Sequence, residues 1–203
     1  MIKTLIFDFG DVFINLDKQG ALQNALNVFQ LKALDAEINA TNECYEMGKM
    51  STEAFIQFYK TRFPHLDEQK LVEVWNSILK DFPEHRLEFI QNLAQQKQYK
   101  LILLSNTNHL HIDAVKASVP FFKAFKNCFD VFYLSQEIQF RKPNADIFEF
   151  VLKENNLIAE ECLFIDDTKA NTDTAERLGF HTWNIDETQE DVVTLFETKK
   201  DLF

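Results

Sequence analysis

Lys3-Thr4-Leu5-Ile6-Phe7-Asp8-Phe9-Gly10 is a short β-prone apolar run that stops on a carboxylate and meets a glycine two residues later. A run without polar–apolar alternation suits a strand covered on both faces, as in a parallel sheet, and Gly10 gives the backbone a place to turn. The same shape returns at Lys100-Leu101-Ile102-Leu103-Leu104, which ends at Ser105-Asn106, and at Cys162-Leu163-Phe164-Ile165, which ends at Asp166-Asp167. Val131-Phe132-Tyr133-Leu134 and Phe180-His181-Thr182-Trp183 are weaker runs of the same kind. Helical spacing fills the intervals: Leu87, Ile90, Leu93 and Ala94 before the second run, and Ile147, Phe148, Val151 and Leu152 before the third. A further helix is predicted over residues 168–178, stopped by Gly179. Strand and helix in repeated alternation read as a doubly wound, Rossmann-like α/β domain with a parallel sheet.

Between residues 17 and 83 the strand signals vanish. Helices are predicted over 21–29, 52–62 and 71–79, with breaks near Gly48 and Pro64, and Leu71, Val74, Trp75, Ile78 and Leu79 draw one apolar stripe. The expected organisation is a discontinuous α/β core of residues 1–16 and 84–203 with an all-helical cap of residues 17–83. Inserted after the first strand, such a segment hangs over the carboxyl ends of the sheet, where open α/β domains bind ligands, and reads as a lid. The other reading is that it extends the core.

At 203 residues and 46% hydrophobic, the chain can bury one core and a small second domain. Its 21 Lys and Arg against 32 Asp and Glu give a net charge of -11, which repels polyphosphate backbones and argues against a nucleic-acid partner. No apolar run approaches the roughly 20 residues of a membrane span. The early Asp8 is out of place in a signal peptide, so a cytoplasmic protein without a membrane partner is expected. Three cysteines, Cys44, Cys128 and Cys162, form no CxxC or zinc pattern and are expected in the core. Only four glycines occur, and none forms a GxGxxG or GxxxxGK phosphate loop. The 21 phenylalanines indicate packing.

In a parallel sheet with right-handed crossovers all strands end on one side, so Asp8, Ser105 and the Asp166-Asp167 pair converge at one edge. Crowded carboxylates repel and raise one another's pKa unless a cation neutralises them. Hard oxygen donors without His or Cys favour Mg²⁺, which typically takes one or two carboxylates plus phosphate oxygens. Each piece alone has a plainer explanation. Asp166-Asp167 suits a helix N-terminus, Ser105 suits a cap for the helix that starts near Asn108, and Lys142-Pro143 suits a loop before a helix. Together they supply a metal-bound carboxylate, a hydroxyl donor and an ammonium, the groups a phosphoryl transfer requires.

Phe7-Asp8-Phe9-Gly10-Asp11-Val12, Leu104-Ser105-Asn106, Arg141-Lys142-Pro143 and Phe164-Ile165-Asp166-Asp167 fall in the order of the four motifs of the haloacid dehalogenase superfamily, and the chain resembles that family over essentially its whole length. It looks most like the phosphatase branch with a small helical cap, which includes sugar-phosphate phosphatases such as those acting on glucose 1-phosphate. The resemblance implies a small phosphorylated metabolite as substrate, Asp8 as nucleophile and Mg²⁺ ligand, and an aspartyl-phosphate intermediate. It further implies that Ser105, helped by Asn106 or the neighbouring backbone, hydrogen-bonds the phosphoryl group and that Lys142 balances charge on nucleophile and phosphate. Asp167 is implied as a direct metal ligand, Asp166 as a ligand through water, the Gly10 carbonyl as a further metal ligand, and Asn171 as a supporting group behind them.

Two positions depart from the family pattern. Gly10 stands where phosphatases of this family carry a second Asp that protonates the leaving oxygen, and Asp11 sits one residue further, facing the other way on an extended backbone but redirected if the chain turns at Gly10. Loss of that acid favours leaving groups that need little protonation, such as an anomeric sugar. It also keeps open a binding or regulatory module without turnover. A 2-haloacid dehalogenase, which needs no metal, is a further alternative, and the Asp166-Asp167 pair argues against it. Gln139-Phe140 precedes Arg141 where a glycine is common in relatives, and Arg141 itself is open to substrate contact or surface pairing. Tyr45, Glu46, Trp75 and Asn76 are candidates to face the leaving group, although the stripe that contains Trp75 equally suits a core position. His109 and His111, two apart on a helix, do not make a metal pair.

Overall fold

In the computed structural model, which describes residues 1–203, the five apolar runs are strands: β1 (Thr4–Phe7), β2 (Lys100–Ser105), β3 (Val131–Leu134), β4 (Cys162–Asp166) and β5 (His181–Asn184). All pair in parallel, in the order β3-β2-β1-β4-β5. The period of two explains why the central runs are apolar throughout. Leu5, Phe7, Leu101, Leu103, Leu163 and Ile165 face one apolar cluster, while Ile6, Ile102, Leu104 and Phe164 face another on the opposite side. The chain steps outward from β1 to β2 and β3, then returns to lay β4 on the other side of β1. That reversal puts a topological switch point between β1 and β4.

Helices α1 (Lys18–Phe29), α2 (Ala36–Glu46), α3 (Thr52–Arg62) and α4 (Glu68–Asn76) come next in the chain after β1. The remaining helices cover the sheet: α5 (Glu84–Gln96), α6 (His109–Ser118), α7 (Phe122–Lys126), the one-turn α8 (Ser135–Ile138), α9 (Ala145–Asn155), α10 (Lys169–Arg177) and the one-turn α11 (Leu195–Thr198). Ile90, Ile112 and Phe125 bring α5, α6 and α7 onto one face, and Phe148 and Ala175 bring α9 and α10 onto the other. Many of the phenylalanines are packing groups, as Phe9, Phe13, Phe82 and Phe125 form one set of ring contacts beneath the end of β1.

Asp17, Asp35, Ser51 and Asp67 cap α1 to α4, each side chain accepting a first-turn N–H. Each such cap stabilises its helix by about 1 kcal/mol. These helices have an apolar cluster of their own, which includes Phe29, Ile38, Tyr45, Phe55, Tyr59 and Phe63. Two details differ from the sequence reading. The second helix, α2, is not among the predicted ones, and α4 ends at Asn76, because the apolar residues beyond it turn back towards the sheet domain. There Leu79 bridges Leu16, the Asn15 N–H donates to the Asp81 carbonyl at 2.9 Å, and the Lys80 N–H donates to the Asn15 carbonyl at 3.0 Å. The strands that enter and leave the helical segment are therefore zipped to each other. Buried Arg86 braces this crossing through Asn15 Oδ1 at 2.9 Å and Asp191 at 3.1 Å.

The helical segment packs tightly on the sheet domain at Gly48, whose φ is +62°. A Cβ there would lie 2.0 Å from the Gln136 carbonyl oxygen. Cys162 is buried as expected, but Cys44 and Cys128 are only half-buried, and all three are free. No helix is long and apolar enough to cross a membrane.

Candidate active site

Phe7 of β1 aligns with Ile165 of β4, so the next residues, Asp8 and Asp166, reach the edge of the sheet side by side at the switch point. The Asp8 N–H donates to the Ile165 carbonyl at 2.9 Å, which fixes the backbone from which the carboxylate projects. Lys142, ahead of α9, is fully buried. Its Nζ lies 2.8 Å from Asp8 Oδ1 and 2.6 Å from Asp166 Oδ2, and its ammonium sits 5.4 Å from the Phe164 ring centroid. Asp8, Asp166 and Asp167 each bring a carboxylate oxygen within 4.8 Å of the others.

The supporting contacts distinguish these groups. Both Asp166 oxygens are engaged, since Oδ1 accepts from the Thr168 N–H at 2.8 Å and Asn171 Nδ2 donates to both at 2.9 and 3.0 Å. Asn106 grips the Lys142 backbone, donating to its carbonyl at 2.7 Å and accepting its N–H at 2.9 Å. The Asn106 side chain thus positions the lysine and keeps one amide hydrogen uncommitted. Ser105 ends β2 beside them, and its buried hydroxyl makes one long contact, 3.4 Å to the Asn106 carbonyl.

Lys18, the first residue of α1, is the group that sequence reading missed. Its Nζ pairs with Asp167 and lies 2.8 Å from Asp11 Oδ2. A lysine in the first turn opposes the helix dipole, and this was the one available signal that a local anion holds it there. Of the two placements open to Asp11, the backbone takes the turn: at φ 55° it brings the carboxylate to Lys18, with Oδ1 accepting the Leu16 N–H at 2.8 Å. Gly10 leaves room for Leu16, since a Cβ at position 10 would lie 2.7 Å from Leu16 Cδ1. No turn or loop hydrogen bond ends on the Gly10 carbonyl oxygen. Gln139 takes a left-handed φ of 62° at the end of α8, which explains why glycine suits that position.

Four carboxylates, Asp8, Asp11, Asp166 and Asp167, face two ammonium groups, Lys18 and Lys142. The excess of two negative charges on oxygen donors alone fits a hard divalent cation. Burial pushes the Asp8 carboxyl up to about 7, with Asp166 and Asp167 adding to the shift and Lys142 opposing it. Burial alone would lower the Lys142 ammonium, but Asp166 and Asp8 together hold it above the ordinary lysine value.

Asp8 therefore binds a proton in the folded protein that the unfolded chain releases near pH 4. Its contribution to stability is full below that pH and is lost as the pH rises through about 7. In EDTA, wild type is expected to lose melting temperature relative to Asp8→Asn between about pH 5 and about pH 8, by several degrees at roughly 2–4 °C per kcal/mol. Thermal melts with the same pH slope for both proteins would contradict the shift.

Helices α1 to α4 meet this edge through specific contacts. The Ser135 hydroxyl donates to the Glu46 carbonyl at 2.6 Å, Arg141 lies 3.0 Å from the Glu46 carboxylate, and Trp75 Nε1 donates to Asn108 Oδ1 at 3.3 Å. His111 stacks on Trp75, and its Nε2 lies 3.1 Å from the Trp75 carbonyl. Burial lowers its pKa to about 4, so it is a neutral strut. Burial raises the Glu46 carboxyl, with Arg141 opposing. A cavity of about 220 Å³ between α1, α2 and α4 is lined by Lys18, Glu46 and Trp75. Tyr45 does not reach it: this side chain is buried, stacked on Phe55, and its hydroxyl accepts the Leu110 N–H at 3.2 Å. Asn76 lines a different, open surface depression with Glu68 and Glu73.

Residues 2–179 match the family model described as hydrolase, haloacid dehalogenase-like hydrolase. The chain is 30% identical over 193 residues to the D-ribitol-5-phosphate phosphatase of Bacteroides thetaiotaomicron, covering 90% of this chain and 91% of that protein. A HAD family enzyme of the same organism, solved as the wild-type protein with magnesium and inorganic phosphate, superposes with a TM-score of 0.80 at 29% identity, over 97% of this chain and 100% of that one. A predicted HAD-like family hydrolase of Porphyromonas gingivalis superposes with a TM-score of 0.82 at 29% identity, over 98% and 97% of the two chains.

Proposed function

Because this chain belongs to the haloacid dehalogenase-like hydrolases, we propose that it is a Mg²⁺-dependent phosphatase that hydrolyses a small sugar or sugar-alcohol phosphate through an aspartyl-phosphate on Asp8. The observation that carries this reading is the meeting of Asp8, Lys142 and the Asp166-Asp167 pair where β1 and β4 end. The relative that dephosphorylates D-ribitol 5-phosphate and the family enzyme solved with magnesium and phosphate support it.

Lys142 engages Asp8 Oδ1, leaving the other oxygen to attack phosphorus. The new bond is Asp8 O–P, the ester P–O bond breaks, and the leaving oxygen takes up a proton and departs as the alcohol. Water then attacks the acyl phosphate and releases inorganic phosphate and the Asp8 carboxylate. The Ser105 hydroxyl, free of a strong partner, donates to a phosphoryl oxygen, and Lys142 compensates charge as it moves from Asp8 to the phosphate. Asp8, Asp167 and the Gly10 carbonyl would hold Mg²⁺ directly. Asp166, with both oxygens engaged, would act through water. The ion supplies charge neutralisation at the phosphoryl oxygens. Residues 17–83 form the cap over this site, and residues 1–16 and 84–203 form the core that carries it.

The relative's substrate is a primary-alcohol ester, which stands beside the anomeric esters favoured by the missing acid at Gly10. Small size and hydroxyl content therefore define the substrate class better than leaving-group acidity does. Phosphate release from p-nitrophenyl phosphate in Mg²⁺ is expected to fall about 100-fold or more in excess EDTA and to return when Mg²⁺ is restored. Hydrolysis indifferent to EDTA would refute the metal-dependent mechanism.

A further inference from the structure

The 220 Å³ cavity is mostly apolar. Leu22 and Phe29 of α1 with Val74 and Trp75 of α4 make one wall, and Asn42 and Glu46, one turn apart on α2, add polar groups to the other beside apolar neighbours such as Leu34. Lys18 lines the same cavity and pairs with Asp167, so one side chain borders both the cavity and the carboxylate cluster. Asn42 uses its carbonyl oxygen to accept from Tyr59 at 2.6 Å, which leaves its amide hydrogens for a ligand. Glu46 is gripped by Arg141 through Oε2, which leaves Oε1 as an acceptor.

We propose that Asn42 and Glu46 are the specificity-determining residues that bind hydroxyl groups of the leaving alcohol, and that this alcohol is a compact polyhydroxy compound of pentitol or hexose size. The proposal rests on the phosphatase reading above. A purely hydrocarbon leaving group would desolvate Glu46 Oε1 and the Asn42 amide hydrogens without offering them a partner. One that is polar on every side would press hydroxyls against the α1 and α4 wall at about 1–3 kcal/mol for each left unpartnered. Sugars and polyols have a hydroxyl edge and a C–H face, and so match both walls. A cavity of about 220 Å³ has room for a compact alcohol of that size.

The test compares kcat/KM for ribitol 5-phosphate and glucose 1-phosphate with that for p-nitrophenyl phosphate and butyl phosphate, in wild type, Asn42→Leu and Glu46→Gln. Wild type is expected to prefer at least one polyol or sugar ester to butyl phosphate. Each variant is expected to lower the ratio of that ester to p-nitrophenyl phosphate about tenfold or more, mainly through KM. Asn42→Leu leaves the Arg141 contact intact, so it separates recognition from damage to the Glu46 pairing. Parallel losses on all esters, with the ratio unchanged, would show a structural role only and overturn the proposal. Asp8-dependent hydrolysis with no preference for either polyhydroxy ester over butyl phosphate would also overturn it and leave the phosphatase reading standing. Failure to hydrolyse any of the four esters would overturn the phosphatase reading itself, and the proposal with it.

Discussion

Asp8→Asn is expected to lower phosphate release from p-nitrophenyl phosphate in saturating Mg²⁺ by roughly 10⁴-fold or more, as for other enzymes that lose a covalent nucleophile. The substitution is nearly isosteric and removes a carboxylate that is buried and crowded by Asp166 and Asp167, so the fold does not suffer. Loss of activity and gain of stability at neutral pH in EDTA should therefore occur together. That combination separates a nucleophile from a residue that merely holds the site together, whose removal would cost both. Activity within tenfold of wild type would remove Asp8 from the reaction.

Lys142→Met is expected to be the most destabilising single change in the site. It leaves Asp8 and Asp166 buried without the ammonium that lies 2.8 and 2.6 Å from them. Removing one partner from a buried ion pair costs about 3–5 kcal/mol, which for a chain of this size lowers the melting temperature by on the order of 10 °C. The loss should shrink at lower pH, because protons then take the place of the missing cation on Asp8. Thermal melts at two pH values in EDTA check both the magnitude and the trend. A melting temperature unchanged at pH 8 would mean that the pair contributes nothing net to folding.

Much of this site was legible in the sequence because three of its strands are apolar runs that end abruptly on polar residues. Burial of β1, β2 and β4 on both faces leaves no alternation to misread, and parallel pairing then forces their ends together. What was not legible lies among the helices. In α2 only Ile38, Thr41 and Tyr45 are buried, too few apolar positions to set a period, although Asp35 caps it in the usual way. Glu46 and Trp75 do line the cavity, but Tyr45, adjacent to Glu46, turns into the helical core, a difference of about 100° of helix rotation that no short pattern resolves. Lys18 escaped because its partners, Asp11 and Asp167, are brought to it by a left-handed backbone turn and by a strand more than a hundred residues away.

Asn15 donates a backbone and a side-chain hydrogen bond to Asp81 where the first helix departs and the fourth returns. Sixty-odd residues thus make a detour that begins and ends at one doorway, while the sheet beyond it keeps its own interior. On the proposed reading, substrate choice and phosphate chemistry are thereby housed in separate rooms that share one doorway, so the detour can be rebuilt around a different alcohol while the strand leading to Asp8 keeps its own packing.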